Sequence, residues 1–427
     1  MVSDESGADA SDPGQAPSSE VSRRGLFVAA GAGVGAGALV GGLGTAAAMN
    51  ASSSGPDVRY PFHGAHQAGI ATPAQDRLHF ASFDLTERAT REDLIALLQA
   101  WTDAAARLTE GREVGETGAV DGPDLLPPED TGEALGLPPS GLTLTFGFGP
   151  GVFDDRFGLA ARRPADLNPL PLFPFDLLEE PISGGDLCIQ ACANDPQVAV
   201  HAIRNLSRIA FGTARIRWSQ LGFGRTSSTS TAQATPRNLF GYKDGTANLK
   251  AEQPADLDEF VWVGDDTDQS WMRGGSYLVT RKILMTIENW DRVKLREQNE
   301  IIGRDKGEGA PLSGGTEFTE PDFAVRRTDG APAIPETAHV RLAHQQAAGT
   351  RMLRRGYNFV DGTNALGQLA AGLFFISYQR SPEQFVAVQR SLATDALNEY
   401  IRHVGSGVFA VPPGVRPGGF IGDGLFA

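Results

Sequence analysis

The chain has 427 residues, 37 basic and 52 acidic, with a formal net charge of −15 and 41% hydrophobic residues. That length accommodates two domains, each able to bury its own core. The acid excess disfavours nucleic acid and anionic membrane surfaces as partners and favours cationic or neutral molecules.

In chain order, the first feature is Ser22-Arg23-Arg24-Gly25-Leu26-Phe27, followed by a Gly/Ala-rich apolar stretch to Leu43 and an A-x-A site at Ala46-Ala47-Ala48. This layout predicts a twin-arginine signal peptide over residues 1–48, and hence export of a folded protein through that machinery. A membrane anchor is the competing reading, disfavoured because the glycines make the segment only weakly apolar. Without its five acids and two arginines the net charge is about −12. Residues 49–76, rich in Ser, Gly, Pro and Ala, predict a linker or extended arm.

The expected N-terminal domain spans 77–225. An apolar run at 78–85, a helical period over 93–108 and a strand at 142–146 are followed by a Pro-punctuated insert at 163–181. A strand at 186–193, a helix at 195–209 and a strand at 214–221 complete the order β-α-β, β-α-β of a split ferredoxin-like unit. The second half, 226–427, repeats it. Gly274-Gly275-Ser276-Tyr277 echoes Gly184-Gly185-Asp186-Leu187, a helix is expected over 290–302, and a strand at 372–378 has the helix 382–392 behind it. The predicted fold class is α+β: a duplicated ferredoxin-like sandwich of the dimeric α+β barrel type, two domains in one chain. The Ser/Thr-rich segment 226–233 marks the seam. Cys188 and Cys192, the only cysteines, fall on one predicted strand. Four strand residues span roughly 13 Å, beyond the ~7 Å reach of a disulfide, so both read as buried free thiols.

Just past the seam lies Asn238-Leu239-Phe240-Gly241-Tyr242-Lys243-Asp244-Gly245-Thr246-Ala247-Asn248. Glycines around Asp244 permit φ > 0 and close approach to a flat ligand, and a carboxylate without neighbouring acids suits a positioned base. Alone, G-x-x-D-G is ordinary turn chemistry. It is preceded by Thr235-Pro236-Arg237 and followed by Ala338-His339-Val340-Arg341-Leu342-Ala343 and Met352-Leu353-Arg354-Arg355-Gly356-Tyr357. Together, in this order, these segments resemble the dye-decolourising (DyP-type) peroxidase family. The likeness is to its twin-arginine-exported branch, which includes the haem peroxidase (deferrochelatase) of bacterial iron uptake. It runs from Gly64-Ala65-His66-Gln67 to about Phe409.

The resemblance implies a non-covalent haem b, in keeping with the lack of a C-x-x-C-H attachment site. It makes His339 the axial iron ligand and Asp395 the carboxylate behind it, with Glu383 and Glu399 as alternatives. Asp244 and Arg354 become the catalytic pair on the opposite face. If the segment around His339 is extended, Arg341 shares its side and pairs with a haem propionate. Leu373 and Phe375, two apart on a strand, roof the pocket or are plain sheet core. Arg237 and Asn248 brace the Asp244 loop or contact propionates, and Arg355 reads as solvent-facing or structural. Tyr242, Trp271, Tyr277, Tyr357 and Tyr378 pack in the core or relay electrons. The implied reaction reduces hydrogen peroxide through an oxyferryl intermediate at the expense of bulky aromatic donors such as dyes, phenols and lignin-like compounds. Other readings are iron release from haem, haem binding without turnover, and cargo of a protein shell through the tail 418–426, which an export signal opposes.

Overall fold

A computed structural model describes residues 57–427, so the expected signal peptide lies outside the described residues. The first half runs β1 (Arg77–Leu85), α1 (Arg91–Leu108), β2 (Thr143–Phe148), β3 (Leu187–Ala193), α2 (Pro196–Ile209) and β4 (Ala214–Arg225). Helix α1 starts at a reciprocal cap between Thr90 and Asp93 and buries Leu94, Leu97, Leu98, Trp101 and Leu108 along one face. Asp195 caps α2 and Pro196 occupies its first turn.

The second half runs α3 (Pro254–Phe260), β5 (Ser276–Met285), α4 (Ile287–Trp290), α5 (Leu295–Ile302), α6 (His339–Leu342), α7 (Gln345–Ala348), β6 (Leu353–Arg354), β7 (Tyr357–Thr363), β8 (Leu369–Gln379), α8 (Pro382–Ser391) and β9 (Ile401–Val411). The helix expected over 290–302 is broken into α4 and α5 by a turn.

Both halves are antiparallel and share one strand order: β4-β1-β3-β2 in the first and β9-β5-β8-β7 in the second. This is the ferredoxin-like order twice over, as the duplicated α+β reading expects. Pairing of β4 with β7 and of β2 with β9 then closes eight strands into a barrel. Strand β6 lies beside β8, ahead of β7 on the same edge. Leu78, Phe80, Cys188, Cys192, Leu278, Phe374, Ile376, Tyr378 and Phe409 fill the interior. Alternate residues such as Phe83, Leu144, Ile189 and Val279 face outwards, into a layer that includes α1, α2 and α8.

Three segments, read as linker, insert and seam, pack against the barrel more closely than their composition suggests. The described part of the supposed linker packs: Phe62, Ile70 and Ala74 are buried, and Gln67 donates to Phe146 O and Pro412 O at 3.0 Å each while accepting from Phe146 N at 2.8 Å. The Pro-punctuated insert continues into a strap along β9, with Leu177 N donating to His403 O (2.9 Å) and Gly184 N to Ser406 O (2.7 Å). The start of the seam is buried as well, Thr226 to Ser230 being at most 4% exposed, whereas Thr231 and Ala232 are exposed. Among the described residues no helix is long and apolar enough to cross a membrane.

Candidate active site

The loop carrying Asp244 turns through two left-handed glycines, Gly241 (φ 83°) and Gly245 (φ 81°). At Gly245 a Cβ would lie 2.9 Å from Ser227 Cα, so the close packing of this loop on the seam requires glycine there. The chain thereby holds the Asp244 carboxylate between two donors: Arg354 Nη1 at 3.0 Å on Oδ1 and Asn238 Nδ2 at 3.2 Å on Oδ2. Arg354 is itself fixed through its backbone. Asn248 Oδ1 accepts from Arg354 N (2.7 Å), and Asn248 Nδ2 donates to Arg354 O (2.8 Å) and Ser228 O (3.0 Å).

His339 opens α6, which packs against α5 where Gly303 (φ 90°) ends that helix; a Cβ there would lie 2.4 Å from Val340 Cγ1. Its Nδ1 lies 2.6 Å from Asp395 Oδ2. Asp395 is buried, and its other oxygen accepts from Leu397 N at 2.8 Å, so the carboxylate cannot swing away. Desolvation pushes the imidazole pKa down, but the Asp395 charge and hydrogen bond, with help from Asp244, outweigh it and hold the value above the ordinary one; Arg354 opposes. The two carboxylates and the arginine therefore act on one imidazole, and the proton is favoured at Nδ1, leaving Nε2 as the nitrogen available to a metal.

Leu373 and Phe375 alternate with the fully buried Phe374 and Ile376 along β8 and are only partly buried. They lie on the barrel's outer face. Leu373 packs against a cluster that includes Phe240 and Tyr242 from the Asp244 loop and Leu397 from the Asp395 turn, so one apolar cluster ties both polar pairs together.

Of the remaining expected residues, Arg341 is placed differently, while Arg237 and Arg355 take the bracing and the structural alternatives. The segment at His339 is helical, not extended, so Arg341 points away from the imidazole; its Nη1 donates to Ile334 O at 3.2 Å and its guanidinium lies over Phe323. Arg237 spends its donors on the carbonyls of Gly241, Lys306 and Gly307, each at 2.7 Å, and so braces the loop. Arg355 is not solvent-facing: it is wholly buried and bonds Thr72 O (2.5 Å) and the Gln75 side chain. Sequence reading passed over Lys250, whose Nζ donates to Ser228 O (2.7 Å) and Oγ (2.6 Å); burial, helped by Arg354, pushes its pKa down to about 8. Its only signal was its place two residues beyond Asn248.

The profile for "Dyp-type peroxidase, N-terminal" matches residues 67–224, and that for "Dyp-type peroxidase, C-terminal" matches 235–416. A curated relative named deferrochelatase from Escherichia coli K12 is 38% identical over 397 residues, covering 90% of this chain and 92% of its own. One of the same name from Yersinia pestis is 39% identical over 412 residues, 92% of each chain. Among solved structures, ferric DtpA from Streptomyces lividans has a TM-score of 0.80 at 40% identity, covering 89% of this chain and all of its own. A DyP-type peroxidase from Cellulomonas bogoriensis has a TM-score of 0.77 at 38% identity, with coverage of 87% and 98%. With both halves matched and close relatives spanning nearly the whole length, this chain belongs to the Dyp-type peroxidases, a family of haem enzymes that act on peroxide.

Proposed function

We propose that the chain is an exported peroxidase in which His339, backed by Asp395, would hold haem b, with Leu373 and Phe375 of the outer face of β8 as its apolar lining and the Asp244–Arg354 pair as the groups that act on peroxide. The observation that carries this reading is geometric: the His339–Asp395 pair (2.6 Å) and the Asp244–Arg354 pair (3.0 Å) are tied together by one apolar cluster, beside the partly buried Leu373 and Phe375. The donor set fits the group: one imidazole with Nε2 left over, an acid behind Nδ1, and apolar side chains for a flat macrocycle.

Bound haem supplies the redox iron at which the peroxide O–O bond opens. Asp244 takes a proton from the nearer peroxide oxygen and returns it to the departing one, acting as base and then acid. Arg354, held by Asn248, supplies a fixed positive charge for the anionic character that develops. Asp395 keeps His339 oriented with its proton at Nδ1. Bulky aromatic donors, dyes and phenols among them, are the proposed electron source, and the twin-arginine layout of residues 1–48 is the basis for placing the protein outside the cytoplasm. A second reading is favoured by the relatives named deferrochelatase: release of iron from haem with the porphyrin left intact. Both readings use the same site.

The test is the absorption spectrum of the purified protein before and after one equivalent of hydrogen peroxide. A ferric haem band that changes promptly in the parent protein and slowly in Asp244→Asn supports the peroxidase reading. A haem band indifferent to peroxide, with free protoporphyrin among the products, supports iron release instead.

A further inference from the structure

Leu373, Phe375, Ser377 and Gln379 form one outward row along β8, alternating with the interior residues Phe374, Ile376 and Tyr378. The first two belong to the proposed haem face. The next two are wholly buried, yet Ser377 Oγ and both ends of the Gln379 carboxamide lack any protein hydrogen-bond partner. Buried polar atoms are nearly always paired, and where protein offers no partner the partner is ordered water.

The strand register says where this water lies. Ser377 stands directly opposite Arg354 across the β6–β8 pair, so their side chains leave the sheet on the same face about 5 Å apart. Gln379 stands opposite Tyr277 across the β5–β8 pair. Asp268 Oδ2 accepts from Ala165 N at 3.0 Å, which holds Asp166 and Asp268 in one neighbourhood, and both charges add to burial in raising the pKa of the Tyr277 hydroxyl. Both acids are exposed. Val279, Met352 and Phe385 belong to the apolar layer on this side of the sheet.

We propose that Ser377 and Gln379 hold a buried file of water running from Arg354 past Tyr277 to the exposed Asp166 and Asp268, and that this file brings protons to the Asp244–Arg354 pair. The inference rests on the peroxidase reading. Reduction of one hydrogen peroxide to two waters takes up two electrons and two protons. A donor that gives only electrons leaves both protons to come from solvent. Each enters at the acidic end and passes from water to water, one O–H bond forming as another breaks, so the file is unchanged after each turnover. Ser377 and Gln379 are positioning residues that fix the waters and touch neither peroxide nor haem.

The experiment uses the haem-loaded protein with ferrocyanide, an electron donor that brings no proton, and compares Ser377→Ala, Gln379→Leu and Ser377→Thr. Turnover in the first two is expected to fall roughly tenfold, with a larger solvent deuterium isotope effect and a steeper loss as pH rises. Ser377→Thr, which keeps the hydroxyl, restores it, and a phenol donor that releases its own proton shows a smaller fall. Because apolar replacement of unpaired polar groups is close to neutral for folding, haem content and thermal midpoint should hold. Equal rates and isotope effects in all variants overturn the proposal, as does a crystal structure of the loaded protein with no water on Ser377 Oγ. If the parent protein itself fails to turn over peroxide, the peroxidase reading falls, while the crystallographic waters still decide whether the file exists.

Discussion

Asn248 shows how a side chain outside the proposed reacting pair can govern one within it. Its amide bonds the backbone of Arg354 in both directions, so truncation frees the segment that aims the guanidinium at Asp244. Asn248→Ala is expected to lower kcat/KM for peroxide by roughly ten- to a hundredfold with haem content unchanged, since small misplacements of a charge-stabilising group are costly. Stopped-flow kinetics check it, and undiminished rates would release Asn248 from this role. In the second pair, Asp395→Asn keeps the shape but loses the charge behind His339. Haem retention should weaken by roughly 10- to 100-fold, measured by transfer of haem to apomyoglobin. The pairing of Asp244 with Arg354 and of His339 with Asp395 was legible because their motifs stand in a fixed order. Arg341 was misplaced because a four-residue helix leaves almost no periodicity to read, and the direction of a side chain depends wholly on whether the backbone is helical or extended.

At the level of elements, the first half was the easier to read: α1 and α2 carry caps and apolar faces, and β1 and β3 are short runs bounded by turns. Strands β7 and β9 escaped. Gly405 and Gly407 interrupt the apolar pattern of β9 because other parts of the chain come close there: a Cβ on Gly405 would lie 2.7 Å from Ile182 O, and one on Gly407 2.8 Å from Thr280 Oγ1. Nothing local in a sequence reports that approach. The burial of the seam was equally hidden, because Ser and Thr look like loop residues until the groups they bond are known. Arg355 is the tie there, joining β6 to the segment 70–75 by its guanidinium. Arg355→Met would leave those carbonyls unpaired and is expected to cost about 3 kcal/mol of stability, read from denaturant unfolding. A loss near zero would mean that water replaces the side chain and that the seam is wetter than its burial implies.

For the whole molecule, stability should fall as the solution is acidified. Burial lowers the pKa of His79 to about 4, and burial with the Arg281 charge lowers that of His403 to about 3. Each stays neutral in the fold but takes a proton in the unfolded chain below its ordinary value near 6.5, so unfolding binds protons across that interval. Their contribution is complete above about pH 6.5 and drains away towards pH 3 to 4. Thermal midpoints measured from pH 7.5 to 4 should therefore decline, and the decline should be shallower in His79→Gln. A flat profile in the parent protein would show that neither histidine is buried as described. The closed barrel has a further consequence for a protein that meets an oxidant in every cycle. Cys188 and Cys192 point into its sealed interior, where burial pushes both thiols up and away from the reactive thiolate. The chain is thus armoured against its own substrate by topology, with no repair chemistry required: a colorimetric thiol reagent should find no reactive sulfur in the native protein after repeated turnover, and two upon unfolding.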